Sequence, residues 1–219
     1  MLRYCEFNKV SNGKISETAM FFDIPHFMVQ AGLKPFKSQT AAQLVQPGPI
    51  THGGLLYSKQ DVEEGSKTKA AIEFMINDLK TWQNFDLTSL ELELRRSWNE
   101  DMIWWGPTGI GATYTIERYA RQHSGPFRAG FKKRIFNGHL CRIAEGQFGG
   151  FFGWPNLSLT PSGFMGMPET EISGDMRVID IYRRQGEKLA ENWVFIDLLH
   201  FWKMQGIDII NDTIRQKTE

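Results

Sequence analysis

Few side chains in this sequence are placed to do chemistry, and most of them lie close to its end. Asp197 follows the aromatic run Trp193-Val194-Phe195-Ile196 and precedes Leu198-Leu199-His200-Phe201-Trp202. A carboxylate at the mouth of an aromatic pocket loses hydration, which raises its pKa and suits it to proton transfer near neutral pH. An aspartate directly before a helix also satisfies free backbone N–H groups as an N-cap, and Asp23 stands in the same context. Capping and catalysis compete for the same oxygens, and both stay open at this level. His139, near Arg142, could present a neutral imidazole to a carboxylate across a pocket or sit on a solvated face. Asp180 shares a strand face with Val178 and Tyr182; it either points inward as a base or pairs with an arginine across the sheet. Glu191 has the parity of Trp193, Phe195 and Asp197. Turned inward, that face puts a second carboxylate in the pocket; turned outward, Glu191 meets Arg177 or Arg183.

Aromatic side chains surround these groups. Trp98, Trp104, Trp105, Trp154, Tyr182 and Trp193 could wall a site for a flat, conjugated ligand, or fill a core or a dimer face. His26 and His200 occupy matching helical positions and read as structural. The five histidines form no H-x-x-x-H or His/Cys cluster, so no metal is expected. Cys5 and Cys141 have no metal or redox spacing and read as reduced thiols of a cytoplasmic protein. Gly106-Pro107-Thr108-Gly109-Ile110-Gly111 lacks the Lys-Ser/Thr ending of a phosphate loop.

The chain that must position these residues has 219 residues, 41% of them hydrophobic, enough to build a sizeable core. Its 25 basic and 25 acidic residues cancel, which argues against a nucleic-acid partner. An apolar leader and an apolar run of about 18 residues are both lacking, so neither export nor a membrane span is expected. Residues 2–35 align without a gap on residues 176–209, with eight of 34 positions identical, Arg3/Arg177, Asp23/Asp197 and His26/His200 among them. Each copy predicts a hairpin, turned at Asn12-Gly13 or Gly186, followed by a short amphipathic helix closed by Gly32 or Gly206.

Residues 1–35 are therefore expected to be a partial repeat, 36–65 a linker rich in glycine and proline, 66–212 a complete domain and 213–219 a tail. In the complete domain, a helix opens at Ser66 and carries Ala70, Phe74, Leu79 and Trp82 at helical spacing. Asp86 caps a second helix with Leu90 and Leu94, and a third spans roughly 113–122. Strands are expected over 101–105, 134–144, 147–154 and in the hairpin from 176. Helices followed by strands indicate an α+β fold, with helices packed on one curved antiparallel sheet.

This order resembles the SnoaL-like polyketide cyclases of the nuclear-transport-factor-2-like superfamily. The resemblance rests on Met102-Ile103-Trp104-Trp105-Gly106-Pro107, on Gly163-Phe164-Met165-Gly166-Met167-Pro168, and on Asp180-Ile181-Tyr182-Arg183 followed by Lys188 to Trp193 and Asp197. It implies a cone-shaped sheet around a deep apolar pocket, a homodimer, and acid–base chemistry without a cofactor. An aspartate near the end of the last strand closes a polyketide by intramolecular aldol reaction in that family. The implied function is acid–base catalysis on a hydrophobic carbonyl compound, with Asp197 and His139 as catalytic candidates. Val194 stands where many members have a further aspartate, which favours the alternative, a non-catalytic binding or dimerisation module. Residues 2–35, with unpaired strand edges, are expected to dock on the domain's own sheet or on a second chain.

Overall fold

Strand formation begins with residues whose branched and aromatic side chains suit a pleated surface. In a computed structural model describing residues 1–43, 49, 51–80 and 86–218, nine strands and seven α-helices are assigned among the described residues. A hairpin, β1 (Tyr4–Ser11) and β2 (Lys14–Phe22), leads into α1 (Ile24–Gln30). Two longer helices follow, α2 (Val62–Lys80) and α3 (Leu87–Ser97), the second capped by Asp86, which accepts from the Ser89 amide at 3.0 Å. Next come β3 (Trp98–Trp105), β4 (Ala112–Tyr114) and α4 (Thr115–Tyr119). A π-helical turn over Ala120–Ser124 joins α4 to α5 (Gly125–Ala129). The chain then forms β5 (Phe131–Phe136), β6 (Cys141–Glu145), β7 (Phe148–Pro161), β8 (Gly174–Gln185) and β9 (Lys188–Ile196). It ends in α6 (Leu198–Met204) and α7 (Ile209–Thr218).

The main sheet has the order β4-β3-β9-β8-β7-β5, with β6 also paired to β7. Every pair is antiparallel except β3 with β9, which run parallel. On β8 the even-numbered Met176, Val178 and Tyr182 face the helices and join the main core with Trp98, Trp104 and Val194. The odd-numbered Ile179 faces the other way and packs with Phe195, Phe7 and Phe21. The β1–β2 hairpin thus docks on the outer face of the chain's own sheet.

The two hairpins share one register. Tyr4 pairs with Phe22 as Val178 pairs with Ile196, and the slip after Lys9 matches the slip after Arg183. Arg3 meets Asp23 at 3.4 Å, as Arg177 meets Asp197 at 3.4 Å. Asp23 is buried beneath this pair and accepts from the backbone amides of His26 and Thr108, both at 3.1 Å. Arg3 also donates to the Gly106 carbonyl at 3.1 Å. Asp23 and Arg3 thus clamp the hairpin to the Gly106–Gly111 loop, beside the packing of Phe7 and Phe21 on the sheet.

The stretch expected as a linker is partly built into the domain. The amides of Ala41 and Ala42 donate to the carbonyls of Ile110 and Ala112, extending the β4 edge. Gly111 sits at φ 88°, and a Cβ there would strike the Ala42 carbonyl. α2 starts four residues ahead of Ser66, where the Asp61 side chain accepts from the Glu63 amide at 2.9 Å, and α7 runs on past residue 212. Trp82, expected on α2, lies outside the described residues. None of the described helices is long and apolar enough to cross a membrane.

Candidate functional site

A cavity of about 260 Å³ lies between the inner face of the sheet and the covering helices. Asp180 is the carboxylate in its wall, placed there because β8 presents alternate side chains to one face. Its side chain is buried, and the Asn192 amide donates to it at 3.2 Å from the neighbouring strand. The Tyr182 hydroxyl is its second donor. Burial penalises the carboxylate more than these hydrogen bonds favour it, so its pKa is pushed up to about 7. The phenols of Tyr119 and Tyr182 are held above their ordinary range by burial and then by the Asp180 charge. A carboxyl that is half protonated near pH 7, facing apolar space and flanked by phenols, can both take and return a proton.

The wall around Asp180 is aromatic. The Trp98 ring lies 5.7 Å from Tyr119 and 6.0 Å from Tyr182. Trp104 stacks on His123 with centroids 3.7 Å apart and planes at 19°. His123 is carried by the π-helical turn, whose extra residue re-aims a side chain, a device frequent at functional sites. Burial lowers its pKa to about 3, so the imidazole is neutral. Its Nδ1 and the Oδ1 of Asn156, both on the cavity wall, have no hydrogen-bond partner among the described residues.

Arg128, from α5, and Arg134, from β5, also line the cavity. The Arg128 side chain is 2% exposed and is held in a two-pronged pair by Glu93 of α3, one prong at 3.0 Å. Arg134 has its pKa lowered to about 10, by burial first and by Arg128 second.

The residues singled out from sequence divide between the two faces. Trp98, Trp104, Tyr182 and His139 line the cavity. His139 stacks on Phe151 at 3.7 Å, and its Nδ1 accepts from Arg142 at 2.9 Å. Trp105, Trp154, Glu191 and Trp193 are not in the cavity wall. Trp105 stacks on Trp193 at 4.8 Å, and Trp154 meets Phe21 of the hairpin at 5.3 Å. Glu191 takes its outward alternative, pairing with Arg183 and with His52 Nε2 at 2.9 Å. Asp197 shares that parity and is likewise absent from the cavity wall. It caps α6 by accepting from the His200 amide at 3.1 Å and meets Arg177 at 3.4 Å. One oxygen serves the helix start and the other faces Arg177, so the acid–base role expected of it has no geometry to support it. Asp180 was visible in the Val178-x-Asp180-x-Tyr182 alternation. Tyr119, His123, Asn192 and the two arginines carried no local signal.

No family model matches the sequence, and no curated protein does either. Solved structures do match. A nuclear-transport-factor-2-like protein from Burkholderia xenovorans superposes with a TM-score of 0.50 at 10% identity, covering 64% of this chain and 96% of that one. A protein described as a SnoaL-like polyketide cyclase, from Jannaschia sp., gives 0.50 at 14% identity, covering 65% and 93%. These likenesses establish the fold, the α+β cone of the nuclear-transport-factor-2-like proteins.

Proposed function

We propose that this cone-fold protein is an acid–base catalyst acting on a hydrophobic carbonyl compound, with Asp180 as the proton-transfer group. The observation that carries the reading is the placement of Asp180, the one carboxyl among the described residues of the cavity wall, buried beside Asn192 and Tyr182, where burial pushes its pKa up to about 7. The ionised Asp180 takes a proton from the carbon next to the substrate carbonyl. The C–H electron pair becomes the enolate double bond, and the carbonyl oxygen gains the negative charge. A Tyr119 hydroxyl, kept protonated by burial, donates to that oxygen. In an aldol closure the enolate carbon attacks a second carbonyl, and the protonated Asp180 returns its proton to the new alkoxide. In an isomerisation it returns the proton to another carbon. Asn192 and Tyr182 hold the carboxyl in one orientation during the exchange.

The test follows hydrogen–deuterium exchange at the α-carbon of apolar ketones in D2O by NMR. Asp180→Asn should slow enzyme-dependent exchange by roughly 10²–10⁴-fold. Exchange at the wild-type rate in this variant refutes the reading and leaves the binding-module alternative.

A further inference from the structure

The inference rests on the reading above and names the substrate more closely. Asn156 stands in the cavity wall and takes no part in the proton transfer. It owes that place to an irregularity in β7. Gly153 pairs with Val178 and Leu157 with Met176, so four steps along β7 answer two along β8. Val178 and Met176 line the cavity, so positions 153 and 157 share their face, and regular alternation would turn Asn156 to the opposite one. The bulge brings it inward instead. Gly153 makes the room, since a Cβ there would lie 2.5 Å from the Asn156 Cβ. The Asn156 carbonyl accepts from the Asn137 amide at 2.9 Å, which fixes the backbone.

Asn156 is 8% exposed, and its Oδ1 has no hydrogen-bond partner among the described residues. A buried acceptor without a partner is destabilising, and one that a bulge and a glycine set into a cavity wall points to a ligand that supplies the donor. His123 Nδ1, on the same wall, is likewise unpartnered among these residues, and its imidazole is neutral. The ligand group follows from these atoms. Oδ1 can only accept, so a carboxylate, an ether or a carbonyl does not satisfy it. An ammonium donates but brings a charge into a buried site. A hydroxyl donates without a charge, and because it also accepts it suits a neutral imidazole in either tautomer. Asn156 lies between the levels of Val178 and Met176, two to four residues from Asp180 or about 7–13 Å along the strand. A substrate that meets both residues has its hydroxyl well separated from its reacting carbonyl.

We propose that the substrate is a hydroxyketone whose hydroxyl, remote from the reacting carbonyl, donates to Asn156 Oδ1, with His123 Nδ1 as a second polar contact. Asn156 discriminates and orients, and Asp180 does the chemistry.

The experiment compares para-hydroxybenzylacetone with its methyl ether and with benzylacetone, three apolar ketones of which the first alone carries a hydroxyl donor. Binding is read by calorimetry and by quenching of the cavity tryptophans Trp98 and Trp104. The wild type should bind the phenol about tenfold more tightly than either analogue, the worth of one hydrogen bond to a group otherwise left unpaired. Asn156→Leu, close in size, should reduce that preference to roughly twofold or less while affinity for benzylacetone is retained. Should that variant fold poorly, Asn156→Ala is measured in its place, and the wild-type comparison stands alone. A phenol that binds the wild type no better than its analogues, including the absence of binding by all three, overturns the proposal and leaves both atoms to solvent. A preference that survives loss of the Asn156 amide overturns it as well. Asp180→Asn should keep the preference for the phenol. Failure of carbon–hydrogen exchange to depend on Asp180 is thus distinguishable from failure of the hydroxyl subsite.

Discussion

Asp180→Asn makes a prediction about stability that is independent of any substrate. Burial raises the Asp180 pKa from 3.8 to about 7, so the folded protein holds a proton that the unfolded chain releases. Between those two values the folded state binds more protons, and stability must fall as pH rises. The contribution is complete below about pH 4, is lost progressively up to about pH 7, and is constant above. A displacement from 3.8 to about 7 corresponds to a loss of up to about 4 kcal/mol. Asp180→Asn suffers no such loss, and the amide oxygen of the variant can still accept from Asn192. The gap in stability between variant and wild type should therefore widen by up to about 4 kcal/mol from pH 4 to pH 8. For a chain of this size that is about 10 °C in Tm. Thermal melts of both proteins across this range, compared as a difference, isolate Asp180 from every other titrating group. Parallel curves would mean that Asp180 is an ordinary solvated carboxylate, and the catalytic reading would lose its physical basis.

Three further outcomes follow from named contacts. Asp197→Ala should cost about 1 kcal/mol, the worth of an N-cap, and leave ketone exchange intact; a collapse of turnover in a folded variant would return Asp197 to the chemistry. His123, held to about 3 by burial, contributes stability above about pH 6.5 that is lost as pH falls. His123→Phe, which keeps a ring against Trp104, should thus gain about 2–3 kcal/mol on wild type at pH 4.5 in chemical denaturation, and equal pH profiles would count against a buried neutral imidazole. Asp23→Ala removes the acceptor shared by Arg3, His26 and Thr108 and should cost about 3 kcal/mol. Amide exchange should then accelerate over β1 and β2 but not over β8; unchanged protection of the hairpin would show that Asp23 is not its clamp.

How much of this was legible in the sequence depended on how far each signal reaches along the chain. Local signals held well. Asp86 and Asp197 precede helices that they cap, and the two hairpins fall where alternation and turn residues put them. Signals that depend on a distant partner did not. Residues 38–42 look like a linker because their hydrogen bonds run to Met165 and the 109–112 loop, and no periodicity along the segment reports such pairing. The helix expected over 113–122 was continuous, whereas the chain inserts a π-helical turn at 120–124, and that irregularity delivers His123 to the wall.

The sequence pointed to Asp197 rather than to the carboxylate in the cavity wall for a specific physical reason. On a sheet with one solvated face, polarity tells inside from outside. Here β9 is apolar on both faces, because Val194 packs into the core while Phe195 is covered by Phe7 and Phe21 of the docked hairpin. Trp193 then reads as a cavity residue, and Asp197, with its parity, is carried along. The covering hairpin is what hid the inner face, and it is also what resolves it. Once Phe7 and Phe21 are assigned to the outer side, Ile179 and Phe195 must face them. Asp180 and Val194, one step along each strand, are then obliged to face the cavity. The N-terminal hairpin therefore bears on the function only indirectly, by making one side of the sheet dry enough that its polar residues no longer advertise which way they point.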